Sequence, residues 1–289
     1  MELTLKDSLR SIDHRYAWGL MGLVKKALNQ GALQRVWHIL RMTRQPIFIG
    51  GCGRSGTTLV LSLLSAHPNL YAIPYETQAV APGPYPPTED SGQPFNFPRL
   101  YAPLMDAPDW IEGCTRWCEK TPGNVHYATR LLDTFGPQSR FINVVRDGRN
   151  VVTSRHQYHA PNQYWVSPER WIRDVRAGRQ VEGHSQVLTI RYEDIVTDHM
   201  TVLKEICQFL EVSFPQDAFA DYPDTAKTLK TRDGRDKPPR PVSKSDQKRW
   251  KKDEHREIVE ALLERPEARS LLAHYGYREA SSDHTATST

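Results

Sequence analysis

Apolar side chains run unbroken through residues 46–50 (PIFIG) until glycines stop them, the pattern of a short strand buried on both faces. Residues 57–67 (TTLVLSLLSAH) then switch to helical spacing, so the pair predicts strand, glycine loop, helix. The switch repeats. Residues 140–145 (RFINVV) predict a second buried strand, leading through Asp147-Gly148 into a helical segment near Arg149 with Asp147 as its N-cap. Residues 187–192 (VLTIRY) predict a third strand, followed by an amphipathic segment over residues 197–210. Strands alternating with helices imply an α/β protein of three layers, a central parallel sheet flanked by helices.

Between the first two units, residues 81–110 are dense in proline and aromatics, including Tyr85, Phe95, Phe97, Tyr101 and Trp110. No regular helix is expected there, and a long loop inside a compact domain usually serves function. The expected organisation is a helical extension over residues 1–45 and one domain over 46–277. Within that domain, 81–118 forms a loop region on the acceptor side and 224–252 a basic loop. Residues 278–289 (ASSDHTATST follows Glu279) are polar and expected to be disordered.

Composition narrows the class. With 289 residues, 38% hydrophobic and 25% charged, the chain suits one globular domain rather than a fibrous, disordered or membrane-spanning one. The apolar run over residues 17–24 ends at Lys25 and Lys26, too short to cross a bilayer, and no cleavage-type signal follows. A cytoplasmic location with no transmembrane segment is expected. Four cysteines, Cys52, Cys114, Cys118 and Cys207, suggest neither a disulfide scaffold nor a zinc site, so isolated thiols and no metal are expected.

The net charge of +4 is unevenly spread: residues 224–252 hold 11 Lys or Arg against 4 acids. Such a run suits contact with phosphates or an anionic acceptor. No helix-turn-helix, finger or aromatic RNA-binding signature accompanies it, so nucleic acid is not the expected partner.

The chemistry starts at residues 51–58, GCGRSGTT, which fit the triphosphate-loop pattern G-x-x-x-x-G-K-S/T except that Thr57 replaces the lysine. The glycine turn and the helix that follows still favour an anion, while the cation that reaches the β and γ phosphates is gone. RFINVV is followed by Arg146, where nucleotide hydrolases commonly hold a metal with aspartate. A donor that transfers a neutral sulfuryl group carries less charge at the reacting centre and can be served by side-chain cations such as Arg54 and by backbone amides.

These residues resemble the sulfotransferases that use 3′-phosphoadenosine 5′-phosphosulfate (PAPS). Residues 48–77 look like their phosphosulfate loop and first helix, and residues 140–154 (RFINVVRDGRNVVTS) look like their 3′-phosphate segment. EKTP at 119–122, RYEDIV at 191–196 and an RW…HYGY pattern between Arg249 and Tyr277 extend the likeness over 46–277. The resemblance implies that Arg54, Ser55, Gly56, Thr57 and Thr58 bind the 5′-phosphosulfate. It implies that Arg146 and Ser154 bind the 3′-phosphate, that Tyr192 meets the adenine, and that Lys120 serves the leaving oxygen. An Arg fork suits a phosphate, and Ser154 is expected early in a helix, where an anion is favoured.

In the tyrosyl-protein and heparan-type enzymes the base is a Glu shortly after the HP that ends the first helix, which matches Glu76 here. The histidine of the aryl-type enzymes, two places after the lysine of their Lys-Thr pair, is replaced by Pro122, and His126 is the reserve base. Some of Lys237, Arg240, Ser243, Lys244 and Arg249 are expected to close over the nucleotide. The implied reaction moves a sulfuryl group to a hydroxyl or amine of a small-molecule, carbohydrate or lipid-like acceptor. Two alternatives stay open: an ATP- and magnesium-dependent phosphotransferase, and a nucleotide-binding module without catalysis.

Overall fold

Five short strands form the sheet: β1 (Pro46–Gly51), β2 (Leu70–Ala72), β3 (Arg116–Lys120), β4 (Arg140–Val145) and β5 (Val187–Arg191). The order is β2-β3-β1-β4-β5 and every pairing is parallel, as the alternation of strands and helices implies. The computed structural model describes residue 42 and residues 45–80, 94–108, 111, 113–155, 163–231, 234–243 and 247–277. Most of the expected extension over 1–45, residues 81–93 with Tyr85, Trp110, Lys244 and the tail over 278–289 lie outside the described residues.

Successive side chains of a strand point to opposite faces, so each central strand feeds two cores. Phe48 and Phe141 join Trp117 and Leu131 on one face; Ile47, Ile49, Ile142 and Val144 join the other. That second face is covered by α1 (Thr57–Leu64) and α7 (His199–Leu210), whose Val202, Leu203, Ile206 and Leu210 recur at helical spacing. The first is covered by α2 (Phe97–Met105) and α3 (Ala128–Phe135). A third cluster packs Trp171 and Val175 of α5 (Pro168–Arg179) against Leu262 of α9 (Arg256–Leu263) and Leu271 of α10 (Pro266–His274).

Further α-helices among the described residues are α4 (Gly148–Val152), α6 (Tyr192–Thr197) and α8 (Gln216–Ala220), and a small hairpin joins β6 (Leu229–Lys230) to β7 (Asp236–Lys237). Asp147 caps α4 as expected, its carboxylate accepting from Arg149 N at 2.9 Å.

Three expectations need correction. The proline-rich stretch does hold a helix: Asn96 caps α2 by accepting from Arg99 N, Pro98 lies in its first turn, and Leu100, Tyr101 and Leu104 bury one face despite Pro103. Its aromatics Phe95 and Tyr101 are core residues, and the supposed loop region over 81–118 also contains the start of β3. The strand expected over 187–192 stops at Arg191 and Tyr192 opens the short α6, after which the amphipathic segment expected over 197–210 is α7, capped by Asp198 through Thr201 N. Ser154 follows the end of the five-residue α4 instead of opening a helix, so no helix N-terminus favours an anion there.

Candidate active site

β1 delivers its C-terminal end into the loop, and the chain can turn there only because Gly51 and Gly56 take φ of 142° and 97°. A Cβ on Gly56 would lie 2.4 Å from the Tyr192 ring, so the glycine also permits close packing. Gly56 is the N-cap of α1 and no side chain caps the helix, which leaves its positive end available to an anion. Thr57 and Thr58 open α1; Ser55 is fully buried and Arg54 is exposed at the loop tip in a left-handed conformation, φ 72°.

The second motif meets this loop directly. Arg146, just past β4, donates from Nη1 to the Arg54 carbonyl at 3.2 Å and lies over the Tyr192 ring, 4.0 Å from its centroid. Tyr192 opens α6 and so supports both motifs at once, a packing role beyond the adenine contact that the family likeness implies. Arg146 does not form a surface ion pair: Asp147 engages Arg149 at 2.8 Å, and Glu193 accepts from Asp147 N and from the Tyr277 hydroxyl. Burial pushes the Glu193 carboxyl above its ordinary pKa, against the pull of the Tyr277 bond.

Ser154 sits in a different network. Its hydroxyl donates to Asn150 O at 3.1 Å and accepts from Arg249 Nη2 at 2.8 Å; Asn150 Nδ2 in turn donates to Gln247 O at 2.7 Å. The C-terminal basic segment therefore docks on α4, and Arg249 is the member of the expected basic set found beside Ser154. Several buried polar atoms here have no partner among the described residues: Ser55 Oγ, Arg146 Nε and Nη2, Asn150 Oδ1 and Gln247 Nε2. Native folds rarely leave such groups unpaired, and the donors among them, Ser55 Oγ, Arg146 Nε and Nη2 and Gln247 Nε2, are a set that a phosphate-bearing ligand would fill.

On the other side of β1 lies β3, with Ile49 opposite Lys120 in register. Lys120 ends the strand, and its ammonium lies 2.5 Å from Glu76 Oε1, the lysine side chain 5% and the glutamate 28% exposed. The residues expected as base and acid are thus brought together, with the more open partner being the carboxylate. The hairpin adds to them: Lys230 N donates to Pro74 O at 2.6 Å. Lys237 on β7 is exposed, yet partial desolvation lowers its pKa, together with the fields of Lys120 and Arg54. It is set near the Glu76–Lys120 pair.

His126 is not part of this pair. Its Nε2 lies 2.9 Å from Asp174 of α5, both side chains buried. Sequence reasoning missed Glu119, which is fully buried beside Lys120, and its partners Thr77, Thr121 and Asn124. It also missed Trp165 and Arg170, whose side chains lie within 4 Å of where a Gly53 Cβ would stand. Glu119 and Thr121 stand in the EKTP stretch, but nothing in the letters marks their burial, and Thr77, Trp165 and Arg170 meet partners far away in the chain. All four cysteines are buried free thiols; burial raises the Cys52 pKa, aided by Asp174.

A glycine loop opening a helix beside the central strand of a parallel sheet in this order defines a phosphate-binding α/β fold of the P-loop type. Within that class the chain belongs to the sulfotransferase family, whose model matches residues 46–96 and 104–216. Solved structures agree on the fold. The sulfotransferase domain of the Synechococcus PCC 7002 olefin synthase is 20% identical, with 81% of this chain and 96% of that one covered and a TM-score of 0.54. The sulfotransferase domain of the curacin biosynthetic pathway is 17% identical (81% and 98% covered, TM-score 0.52). Mouse sulfotransferase SULT7A1 complexed with PAP is 13% identical (80% and 89% covered, TM-score 0.52). No curated protein sequence matches the chain. Among the described residues no helix is long and apolar enough to cross a membrane.

Proposed function

We propose that this protein transfers a sulfuryl group from PAPS to a hydroxyl or amine of a small acceptor, with Glu76 as general base. The observation that carries the reading is the buried, unpartnered Arg146 Nε and Nη2 held against the loop beside unpartnered Ser55 Oγ. These donors, with the α1 N-terminus, suit a nucleotide that carries two separate phosphate-level anions. The mouse relative's PAP complex supports the same donor.

When bound, the donor supplies a sulfuryl group on a phosphate leaving group. Glu76 takes the proton from the acceptor as the acceptor oxygen or nitrogen bonds to sulfur and the sulfur–oxygen bond to phosphate breaks. Arg54, Lys120 and the α1 N-terminus stabilise the electron pair left on the departing phosphate oxygen. Lys120 also fixes the carboxylate: the 2.5 Å ion pair holds Glu76 in one place until the acceptor enters. Ser55, Thr57 and Thr58 cradle the 5′ side; Arg146, with Arg249 and Ser154 nearby, holds the 3′-phosphate.

An ATP- and magnesium-dependent reaction fits these residues less well. Thr57 replaces the phosphate lysine, the strand beside β1 ends in the cation Lys120, and neighbouring Glu119 has both oxygens engaged by protein donors. Labelled-sulfate transfer from PAPS into a small-molecule extract tests the reading: labelled product with the wild-type protein and none with Glu76→Ala is expected. Equal labelling by the two proteins would remove Glu76 from the mechanism.

A further inference from the structure

We propose that Glu119 is a positioning residue for the reaction: its buried carboxylate ties the segment bearing Glu76 to the strand end bearing Lys120 and so sets their separation. The inference rests on the sulfuryl-transfer reading above and adds a residue to it.

Glu76 and Lys120 are 44 residues apart in sequence, and neither is held in place by its own secondary structure alone. Glu76 lies in an irregular stretch after β2, and Lys120 is the last residue of β3. Glu119 joins the immediate neighbours of both. Its Oε1 accepts from Thr77 N at 3.2 Å, from Thr77 Oγ1 at 2.8 Å and from Thr121 Oγ1 at 2.7 Å; its Oε2 accepts from Asn124 Nδ2 at 2.6 Å. Thr77 follows Glu76 and Thr121 follows Lys120, so one carboxylate grips the chain one residue beyond each reacting group.

Secondary contacts extend the grip. Gln78 N donates to Thr121 Oγ1 and Ala79 N to Thr77 Oγ1, which fold the stretch after Glu76 back onto the clamp; Gln78 has φ 52° there. On the near side, Ile73 N donates to Cys118 O at 2.9 Å, continuing the β2–β3 ladder. The segment from Ile73 to Ala79 is thereby fastened to β3 before and after Glu76, leaving the Glu76 side chain itself to face the Lys120 ammonium.

The choice of a carboxylate here is informative. Burial disfavours its charge and raises its pKa, and only the bonds from Asn124, Thr121 and Thr77 oppose that. A buried anion is an expensive way to fill a core position, for which an apolar side chain of the same volume would serve stability as well. A carboxylate is the one side chain that accepts from four donors at once in this geometry. Glutamine has the same shape, but its amide nitrogen would meet Asn124 Nδ2 donor to donor, or its oxygen would have to leave the two threonines. A reacting pair displaced by about 1 Å loses rate by roughly a hundredfold, so a clamp of this kind has a direct kinetic consequence.

The test compares wild type, Glu119→Gln, Thr121→Val and Thr121→Ser. Three quantities are read on each: amide exchange over residues 73–80, 3′,5′-ADP affinity by calorimetry, and labelled-sulfate transfer from PAPS. Glu119→Gln and Thr121→Val are expected to speed exchange at Thr77 and Gln78 by about tenfold. They are expected to lower transfer by roughly a hundredfold while 3′,5′-ADP affinity stays within about twofold of wild type. Thr121→Ser, which keeps the hydroxyl, restores both exchange and transfer. The proposal is overturned if transfer falls only in step with 3′,5′-ADP affinity or folded fraction, or if exchange at Thr77 and Gln78 is unchanged. If wild type itself fails to bind 3′,5′-ADP, the donor reading falls, and the clamp is then decided by the exchange data alone.

Discussion

The two strand ends that flank β1 treat buried polar groups in opposite ways. At the β4 end, Arg146 keeps two guanidinium nitrogens without partners among the described residues, next to Ser55 Oγ in the same state. At the β3 end, Glu119 is fully buried with both oxygens taken by Thr77, Thr121 and Asn124. Both arrangements carry a desolvation cost, but they are offset by different things. On the function proposed above, the β4 side is completed by a ligand; the β3 side is completed by the protein, which makes it rigid before any ligand arrives. Binding and chemistry are thus assigned to opposite edges of one loop, and substitutions at the two edges should fail in different ways.

The sharpest separation is expected at Glu76. Glu76→Ala removes the proposed base and should lower transfer by about 10²–10⁴-fold, while 3′,5′-ADP affinity measured by calorimetry stays near wild type. A parallel loss of nucleotide affinity would merge the two edges and break the comparison. Next comes Glu119→Ala, which strands the donors of Thr77 and Asn124 in the core; a destabilisation of about 3 kcal/mol by urea titration is expected.

Arg146→Ala should do the reverse. It weakens 3′,5′-ADP binding by about 10–100-fold, as loss of charged hydrogen bonds to a phosphate does, yet shifts the stability of the ligand-free protein by less than about 1 kcal/mol. A large drop in ligand-free stability would show that Arg146 is structural. The smallest effect is at His67, another buried group completed by protein: its Nδ1 accepts from Asn69 N and its Nε2 bonds Ser213 O. Burial lowers its pKa, so the stability contributed by the neutral ring is complete above the ordinary imidazole pKa of about 6.5 and is lost as pH falls below it. Melting curves of His67→Gln between roughly pH 7 and pH 5 should therefore decline less than those of wild type.

The β4 edge was legible in the sequence because its signals are local. A buried apolar run, a terminal Arg146 and the capping Asp147 lie within a few residues of one another, and the glycine loop likewise announces its turn. The β3 edge was only half legible. Glu76 and Lys120 could be named from the family likeness, but Glu119 works through Thr77, 42 residues earlier, and a lone glutamate at a strand end carries no mark of burial. Helix α2 was hidden for a different reason. Pro98 and Pro103 argue against a helix, yet one stands in the first turn and the burial of Leu100, Tyr101 and Leu104 outweighs the other. Ser154 was misplaced because α4 is a single short stretch, ending at Val152, and periodicity cannot fix the end of so brief a helix.

The account rests on the claim that the unpartnered groups around the loop await a nucleotide with a 3′-phosphate. Thermal shift in metal-free buffer tests this most directly. At about a hundred times its Kd, 3′,5′-ADP should stabilise the protein by about 2.7 kcal/mol without magnesium, and Arg146→Ala should abolish most of that gain. Stabilisation by ATP with magnesium and none by 3′,5′-ADP would contradict it.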